Sequence, residues 1–107
     1  MLHYAGEYEE FEQHLKKRVV IEGTAILVTL LAGKFYAIQD KCTHLGASLS
    51  KGVQTDQEIK CRAHGARYNV TSGEVIEKAH IGFIKMPTQK LKTFPTEVKE
   101  GKVYIDI

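Results

Sequence analysis

The sequence contains few cysteines and no long apolar run. The first shortage argues against a disulfide-rich secreted domain, and the second argues against a membrane-spanning protein. The chain contains two cysteines in 107 residues, so at most one disulfide can form, which is little cross-linking for a small secreted domain. The longest apolar stretch, residues 25–32, is far shorter than a membrane span, and residues 1–4 show no signal-type start. We therefore expect a cytoplasmic protein with no membrane span.

A large charge of one sign is also missing. The formal net charge is +2 at neutral pH, and no Lys/Arg block is longer than residues 16–18, so the sequence gives no indication of nucleic-acid binding. Apolar residues make up 43% and charged residues 26% of the chain, which is typical of a soluble globular protein. Since it has neither internal repeats nor linkers, the chain is predicted to form a single domain over residues 1–107.

Most of the chain alternates between β-branched or aromatic runs and short turn segments, which predicts an all-β fold of antiparallel strands. Residues 71–73 read as a hairpin loop in which Gly73 can take a positive φ. Residues 77–89 show no clean period and are predicted to be a loop. The predicted strands cover residues 19–21, 24–31, 34–38, 49–54, 58–60, 67–70, 74–76, 90–98 and 102–107.

One segment near the N-terminus has a different period. Tyr4, Tyr8, Phe11 and Leu15 recur at helical spacing, and acidic residues lie where the N-terminal end of a helix favours anions. The pattern predicts a short amphipathic helix near residues 7–16, whose apolar stripe packs on the core.

The residues that indicate chemistry are two Cys/His pairs. Cys42 and His44 form a Cys-x-His pair, and a spacer of sixteen residues separates them from a Cys-x-x-His pair made of Cys61 and His64. These are the only cysteines in the chain, and each has a histidine within three positions. Two pairs on neighbouring loops can bring two thiolates and two imidazoles to one point, which is a four-ligand metal site.

Three interpretations of this set remain open on the residues alone. A structural zinc site is chemically sound, although zinc modules of this composition usually pair Cys with Cys and His with His. A [2Fe-2S] cluster suits mixed pairs, because each loop then supplies one ligand to each iron. An inert set of buried Cys and His is the third interpretation, and the specific spacing argues against it.

The paired motif resembles that of Rieske-type iron-sulfur proteins. The resemblance includes residues 42–46 and 47–49 on the first loop, His64, Gly65 and Tyr68 on the second, and the strand pattern from about residue 18 to 107. It implies a Rieske-type β-sandwich or barrel with a cluster-binding subdomain, at about residues 40–68, built from two hairpin loops.

The resemblance also implies roles for individual residues. Cys42 and Cys61 would bind one iron of a [2Fe-2S] cluster, and His44 and His64 would bind the other iron through ring nitrogens. Tyr68 would donate a hydrogen bond to a ligand sulfur.

The sequence departs from the respiratory-complex branch of that family at three positions. Ala47 and Ala63 stand where that branch has the two cysteines of a disulfide between the loops, and Ala66 replaces a serine that donates a hydrogen bond to a bridging sulfide. Since hydrogen bonds to sulfur stabilise the reduced cluster, their loss lowers the potential. The sequence therefore predicts a potential near the low end of the Rieske range of roughly −150 to +300 mV, which suits a ferredoxin.

The function implied by the resemblance is one-electron transfer from a flavin-dependent reductase to a terminal oxygenase or similar redox enzyme, by a monomer that is not itself a catalyst. The alternative is a zinc-stabilised or small cluster-bearing subunit of a larger reductase, similar to nitrite reductase small subunits. Basic residues flank the two loops in the sequence. They either form a positively charged collar that steers an acidic partner towards the loops, or they are ordinary solvated surface residues. They are Lys41, Lys60, Arg62 and Arg67. The remaining histidines, His3, His14 and His80, lack a partner at ligand spacing.

Overall fold

The structure, a computed structural model, describes residues 1–41, 48–62 and 65–107. Within these ranges the chain forms one α-helix and a series of short strands. In chain order they are β1 (Leu2–Glu7), α1 (Tyr8–Gln13), β2 (Lys16–Ile21), β3 (Thr24–Leu31), β4 (Lys34–Gln39), β5 (Val53–Thr55), β6 (Glu58–Lys60), β7 (Arg67–Asn69), β8 (Val75–Glu77), β9 (His80–Ile81), β10 (Ile84–Lys85), β11 (Thr93–Phe94), β12 (Thr96–Lys99) and β13 (Lys102–Asp106).

The strands pair antiparallel in four small sheets, which confirms the predicted all-β fold with a short N-terminal helix. A central sheet has the order β11-β4-β3-β2, and a second four-stranded sheet has the order β5-β6-β7-β8. A three-stranded sheet has the order β1-β13-β12, and β9 pairs only with β10. Cys61, at the start of the second predicted ligand loop, directly follows β6 of the second four-stranded sheet.

The central sheet lies between two apolar cores. One face of β3 and β4 sends Leu27 and Ile38 into a core that we call the Cys61 core. The other face sends Ile26 and Val28 into a core that we call the Phe11 core. Because both faces of the sheet are covered, four consecutive residues of β3 are buried, which explains the long apolar run in this strand. The Cys61 core contains Leu27, Ile38, Leu49, Ile59, Cys61, Ala66, Tyr68, Val70, Ala79 and Leu91, and the Phe11 core contains Ala5, Phe11, Ile21, Ile26, Val28, Phe35, Ala37, Phe94, Val103 and Ile105.

Three of the two-residue hairpins between the described strands share one type of turn, which sets the register of the strands that they join. They join β2 to β3, β3 to β4 and β12 to β13, and in each the second turn residue is glycine. Both residues of each turn have a positive φ, as a type I′ turn requires. The turn residues are Glu22-Gly23, Ala32-Gly33 and Glu100-Gly101.

The N-terminal prediction was right about the presence of a helix and wrong about its extent. The helix covers only Tyr8–Gln13, because residues before it form β1, which pairs with β13. Phe11 is buried, but Tyr4 lies on β1 and is half exposed, and Leu15 lies beyond the helix and is also exposed. The Tyr4 hydroxyl donates to a Glu7 carboxylate oxygen at 2.6 Å. This bond raises the pKa of Tyr4 to about 12.

Three further predictions need correction. The predicted strand over residues 49–54 is a 3₁₀ turn at Leu49–Lys51 followed by β5. Residues 77–89, predicted as a loop, contain the small hairpin of β9 and β10. The predicted strand over residues 90–98 divides at Pro95 into β11 and β12, which belong to different sheets, because proline cannot donate to a ladder.

Within the described ranges, no helix is long and apolar enough to span a membrane.

Candidate metal centre

The structure describes two of the five residues predicted at the site. Cys61 and Tyr68 lie within the described ranges. Cys42, His44 and His64 lie outside them, so the predicted convergence of four ligands stays a prediction.

Cys61 is buried at the start of the second predicted ligand loop. It follows the last residue of β6, its relative exposure is 1%, and it packs in the same core as Ala66 and Tyr68. The backbone N–H of Cys61 donates to the carbonyl oxygen of Ala66 at 2.7 Å. This hydrogen bond joins the residues on either side of the undescribed positions 63 and 64. The sulfur donor of Cys61 is therefore held in an apolar environment that excludes most water.

Tyr68 is the second residue of β7, the strand that follows this segment. In β7 it pairs with Ile59 of β6 and with Val75 of β8, and its side chain is fully buried. The three strands hold the ring inside the Cys61 core. This location suits the predicted role of a hydrogen-bond donor near the ligand sulfurs.

Asp40 joins the two ends of the first predicted ligand loop, residues 42–47. One carboxylate oxygen accepts a hydrogen bond from the backbone N–H of Ser50 at 2.6 Å, and the other accepts from the Ser48 hydroxyl at 2.6 Å. Arg18 of β2 donates to the carboxylate from Nε at 2.9 Å. The Asp40 side chain is fully buried, whereas that of Arg18 is half exposed. Asp40 thus fixes the chain before and after this loop to each other and to the central sheet.

Sequence reasoning missed Asp40. A carboxylate two residues before a predicted ligand, followed by Ser48 and Ser50 after the loop, is a visible signal in the sequence. Its meaning depends on the burial of the carboxylate and on the approach of Arg18 from β2, and neither can be read from spacing.

His80 packs against the second predicted ligand loop. Gly65 has a φ of +73°, and a Cβ at this position would lie 3.3 Å from Cε1 of His80. The imidazole therefore lies directly over the backbone of Gly65, and the β9–β10 hairpin is adjacent to this loop. The absence of a side chain at Gly65 permits both the positive φ and the close approach.

The basic residues around the loops differ in their surroundings. Lys41, Lys60 and Arg62 are exposed. Arg67 is balanced by two carboxylates, with Glu58 at 3.4 Å and Glu77 at 3.0 Å. Only the first three therefore contribute an unbalanced positive field within the described part of the predicted collar.

A pocket of about 560 Å³ lies away from the predicted metal centre. Asp56 in the β5–β6 turn contributes to its lining, and this turn is at the opposite end of β6 from Cys61. The lining residues are His14, Leu15, Lys16, Leu31, Gln54 and Asp56. Within residues 1–41, 48–62 and 65–107, no group of three or more His, Cys, Asp or Glu side chains is arranged to hold a metal ion.

Comparisons with known proteins agree with this geometry. Residues 2–95 match the family model of the Rieske [2Fe-2S] domain. Ferredoxin CarAc of Metapseudomonas resinovorans is 39% identical over 90 residues, which cover 83% of this chain and 78% of that protein. The terminal oxygenase component CarAa of carbazole 1,9a-dioxygenase from Sphingomonas sp. is 34% identical over 90 residues, but the match spans only 24% of that component.

A solved structure shows the same fold over nearly the whole chain. It is a chain from the complex of reduced oxygenase and oxidized ferredoxin in carbazole 1,9a-dioxygenase. The superposition has a TM-score of 0.83 at 32% sequence identity and covers 97% of this chain and 91% of that chain. The family model covers most of the sequence, and the paired Cys/His motif lies within the matched range. This chain belongs to the family of Rieske [2Fe-2S] domain proteins.

Proposed function

We propose that this chain is a one-electron carrier of the ferredoxin type, which takes electrons from a flavin-dependent reductase and passes them to a terminal oxygenase. The observation that carries the proposal is the agreement between the paired Cys/His motif and a similarity to ferredoxin CarAc that extends over 78% of that protein's length. The similarity to CarAa covers only a small part of an oxygenase. The chain is therefore proposed as a carrier and not as an enzyme.

The residues fit the cofactor of the family. Two thiolates and two neutral imidazoles are the donor set of a Rieske [2Fe-2S] cluster, in which Cys₂ serves one iron and His₂ the other. We assign Cys42 and Cys61 to the first iron and His44 and His64 to the second. Cys61 is buried in an apolar core, where a thiolate requires a cationic partner such as iron. When bound, the cluster supplies a site that accepts and releases one electron.

The surrounding residues tune and support that site. Tyr68 is proposed to donate a hydrogen bond to a ligand sulfur, which favours the reduced state. The buried methyl group of Ala66 supplies no such donor, which supports the prediction of a low potential. Asp40 holds the ends of the first loop together through Ser48 and Ser50.

We further propose a cytoplasmic monomer in which residues 1–107 form one domain, with the cluster-binding subdomain at about residues 40–68. Support for a single domain comes from β3 and β4, which contribute to both cores, so that neither core is complete without the central sheet. No nucleic acid is expected as a partner, because the net charge is only +2.

A redox titration combined with gel filtration tests the proposal. The purified protein should elute as a monomer, take up one electron per cluster from dithionite and return it to ferricyanide over repeated cycles, with a potential near the low end of the Rieske range. A colourless, redox-inactive protein that contains one zinc ion would contradict the proposal and favour a structural module. Persistent association with a larger reductase would instead favour a fixed subunit.

A further inference from the structure

The β9–β10 hairpin carries a cluster of exposed apolar side chains at its tip. Ile81 and Ile84 are 54% and 70% exposed, and Phe83 is completely exposed. Gly82 between them has a φ of +59°, which allows the tight turn. Single exposed apolar residues are common on protein surfaces, whereas three within four positions are characteristic of an interaction site.

The base of this hairpin is fixed in the Cys61 core. Ala79 is fully buried there, and Met86 packs against the same core. The backbone N–H of Met86 donates to the carbonyl oxygen of Ala79 at 2.7 Å, and the Thr88 hydroxyl accepts from the backbone N–H of Ala79 at 3.0 Å. The tip is therefore presented by an anchored base and does not fold back onto the core.

The hairpin is also continuous with the predicted metal centre. His80, the first residue of β9, lies against Gly65 of the second predicted ligand loop. Any protein that covers the tip from this side is brought next to the loop that carries Cys61 and His64, where an electron would enter or leave.

The two chain segments that contain the tip and the second predicted ligand loop carry charges of one sign. The sequence contains no Asp or Glu in residues 59–73 or 78–96, although both segments contain several Lys or Arg residues. Lys60, Arg62, Lys78 and Lys85 are all exposed. Acidic residues are concentrated elsewhere, for example in and beside α1 at residues 7–12. An apolar tip with a basic surround is complementary to an apolar depression with a carboxylate rim.

We propose that the tip of this hairpin, Ile81, Phe83 and Ile84, is the docking surface for the terminal oxygenase, and that it inserts into an apolar depression surrounded by acidic residues next to the oxygenase's electron-entry site. The inference rests on the proposed function, because it assigns a surface to the acceptor of that electron transfer. The oxygenase is chosen over the reductase because the chain resembles, over 97% of its length, a chain solved in an oxygenase–ferredoxin complex.

The test measures electron transfer in a stopped-flow experiment. The dithionite-reduced protein is mixed with the oxidised oxygenase component of carbazole 1,9a-dioxygenase, and reoxidation of the protein is followed. In the double variant Phe83→Ser/Ile84→Ser, we expect the second-order rate constant to fall by about tenfold or more, because central apolar anchors dominate interface energetics. For the unchanged protein, the rate should fall as ionic strength rises from about 0.05 to about 0.5 M.

Matched variants separate docking from other effects. Val98→Ser on β12 also removes an exposed apolar side chain, 45% exposed, but from the three-stranded sheet. It should leave the rate unchanged. Lys85→Glu beside the tip should slow transfer, whereas Lys102→Glu on β13 should not. All variants should keep the same absorption spectrum. They should also be oxidised by ferricyanide at the same rate, because this small oxidant does not need a docking surface.

Each other outcome overturns the inference. Equal rates for the double variant and the unchanged protein would show that the tip does not dock. Slower reduction by the reductase with normal transfer to the oxygenase would assign the surface to the donor. A protein that cycles with dithionite and ferricyanide but does not reduce the oxygenase would overturn the docking inference and leave the electron-carrier function intact. A protein that does not cycle at all would refute the proposed function itself.

Discussion

At the scale of single residues, Cys61 and Ala66 define the electronic environment that the sequence predicts. They are joined by a backbone hydrogen bond of 2.7 Å, and both are buried with Tyr68. The methyl group of Ala66 occupies a position from which a hydroxyl would be enclosed by the same core. A donor placed there cannot be satisfied by bulk water, so its hydrogen bond to a sulfur would be retained.

The substitution Ala66→Ser should therefore raise the reduction potential. One additional hydrogen bond of about 1.4 kcal/mol that favours the reduced cluster corresponds to about 60 mV for a one-electron couple. The measurement is a redox titration of both proteins at one pH. Thr71→Ser, at a half-buried position beyond β7, serves as a control and should leave the potential unchanged. An unchanged or lower potential for Ala66→Ser would show that a serine hydroxyl at this position does not reach a sulfur.

The spacing of the Cys/His pairs was sufficient to predict the family, because ligand spacing in a short loop is fixed by local chain geometry. The role of Asp40 could not be predicted in this way. Its carboxylate is buried among groups from β2 and from the segment after the first loop, and these groups meet only in the folded chain. Local motifs are thus readable from sequence, whereas their supporting contacts depend on tertiary structure.

At the scale of elements, the first predicted ligand loop is held between two fixed ends. Asp40 follows β4 on one side of this loop. Ser48 and Ser50 lie on its other side, in the segment that leads into β5. Arg18 of β2 completes the arrangement, with Nε 2.9 Å from the carboxylate. One buried carboxylate therefore links the described residues on both sides of this loop to the central sheet.

The substitution Asp40→Asn should loosen this loop while preserving side-chain size. Loss of the buried negative charge removes charge-assisted bonds and leaves Arg18 without its partner, so we expect a loss of about 2–4 kcal/mol of stability. The bound cluster should also bleach faster during chelator challenge. Denaturant unfolding and the bleaching rate are the two measurements.

The matched control for this change is Asp106→Asn. Asp106 forms an ion pair of 2.7 Å with the N-terminal ammonium group, but the ammonium group is largely exposed and the Asp106 side chain is half exposed. Exposed pairs contribute little, so the control should cost about 0.5 kcal/mol or less. Equal losses for the two variants would contradict the proposed role of Asp40.

Element boundaries were predicted unevenly, for identifiable reasons. The strands β3 and β4 were predicted to within one residue because Xaa-Gly turns and β-branched runs are local signals, whereas β2 begins at Lys16, three residues before the predicted strand. The strand β1 was missed because its pairing partner, β13, lies at the other end of the chain. The helical spacing of Tyr4 and Leu15 was misleading, since neither residue belongs to α1.

At the scale of the whole molecule, the central sheet separates the two apolar cores. Its Phe11-core face packs against the helix and the three-stranded sheet, and its other face supports the layer that contains Cys61 and Tyr68. Cys61 and the base of the β9–β10 hairpin, at Ala79, belong to this second side. Cys61, Tyr68 and the base of this hairpin therefore lie on the face of the central sheet opposite α1.

The central claim is that two cysteines and two histidines hold one [2Fe-2S] cluster, and electron paramagnetic resonance of the dithionite-reduced protein tests it most directly. We expect two irons and two labile sulfides per chain and a rhombic signal whose average g value lies below that of four-Cys [2Fe-2S] clusters, as mixed His/Cys ligation requires. The signal should disappear in Cys61→Ser and in His64→Ala. A reduced protein with no such signal, or one that contains a single zinc ion, would contradict the claim.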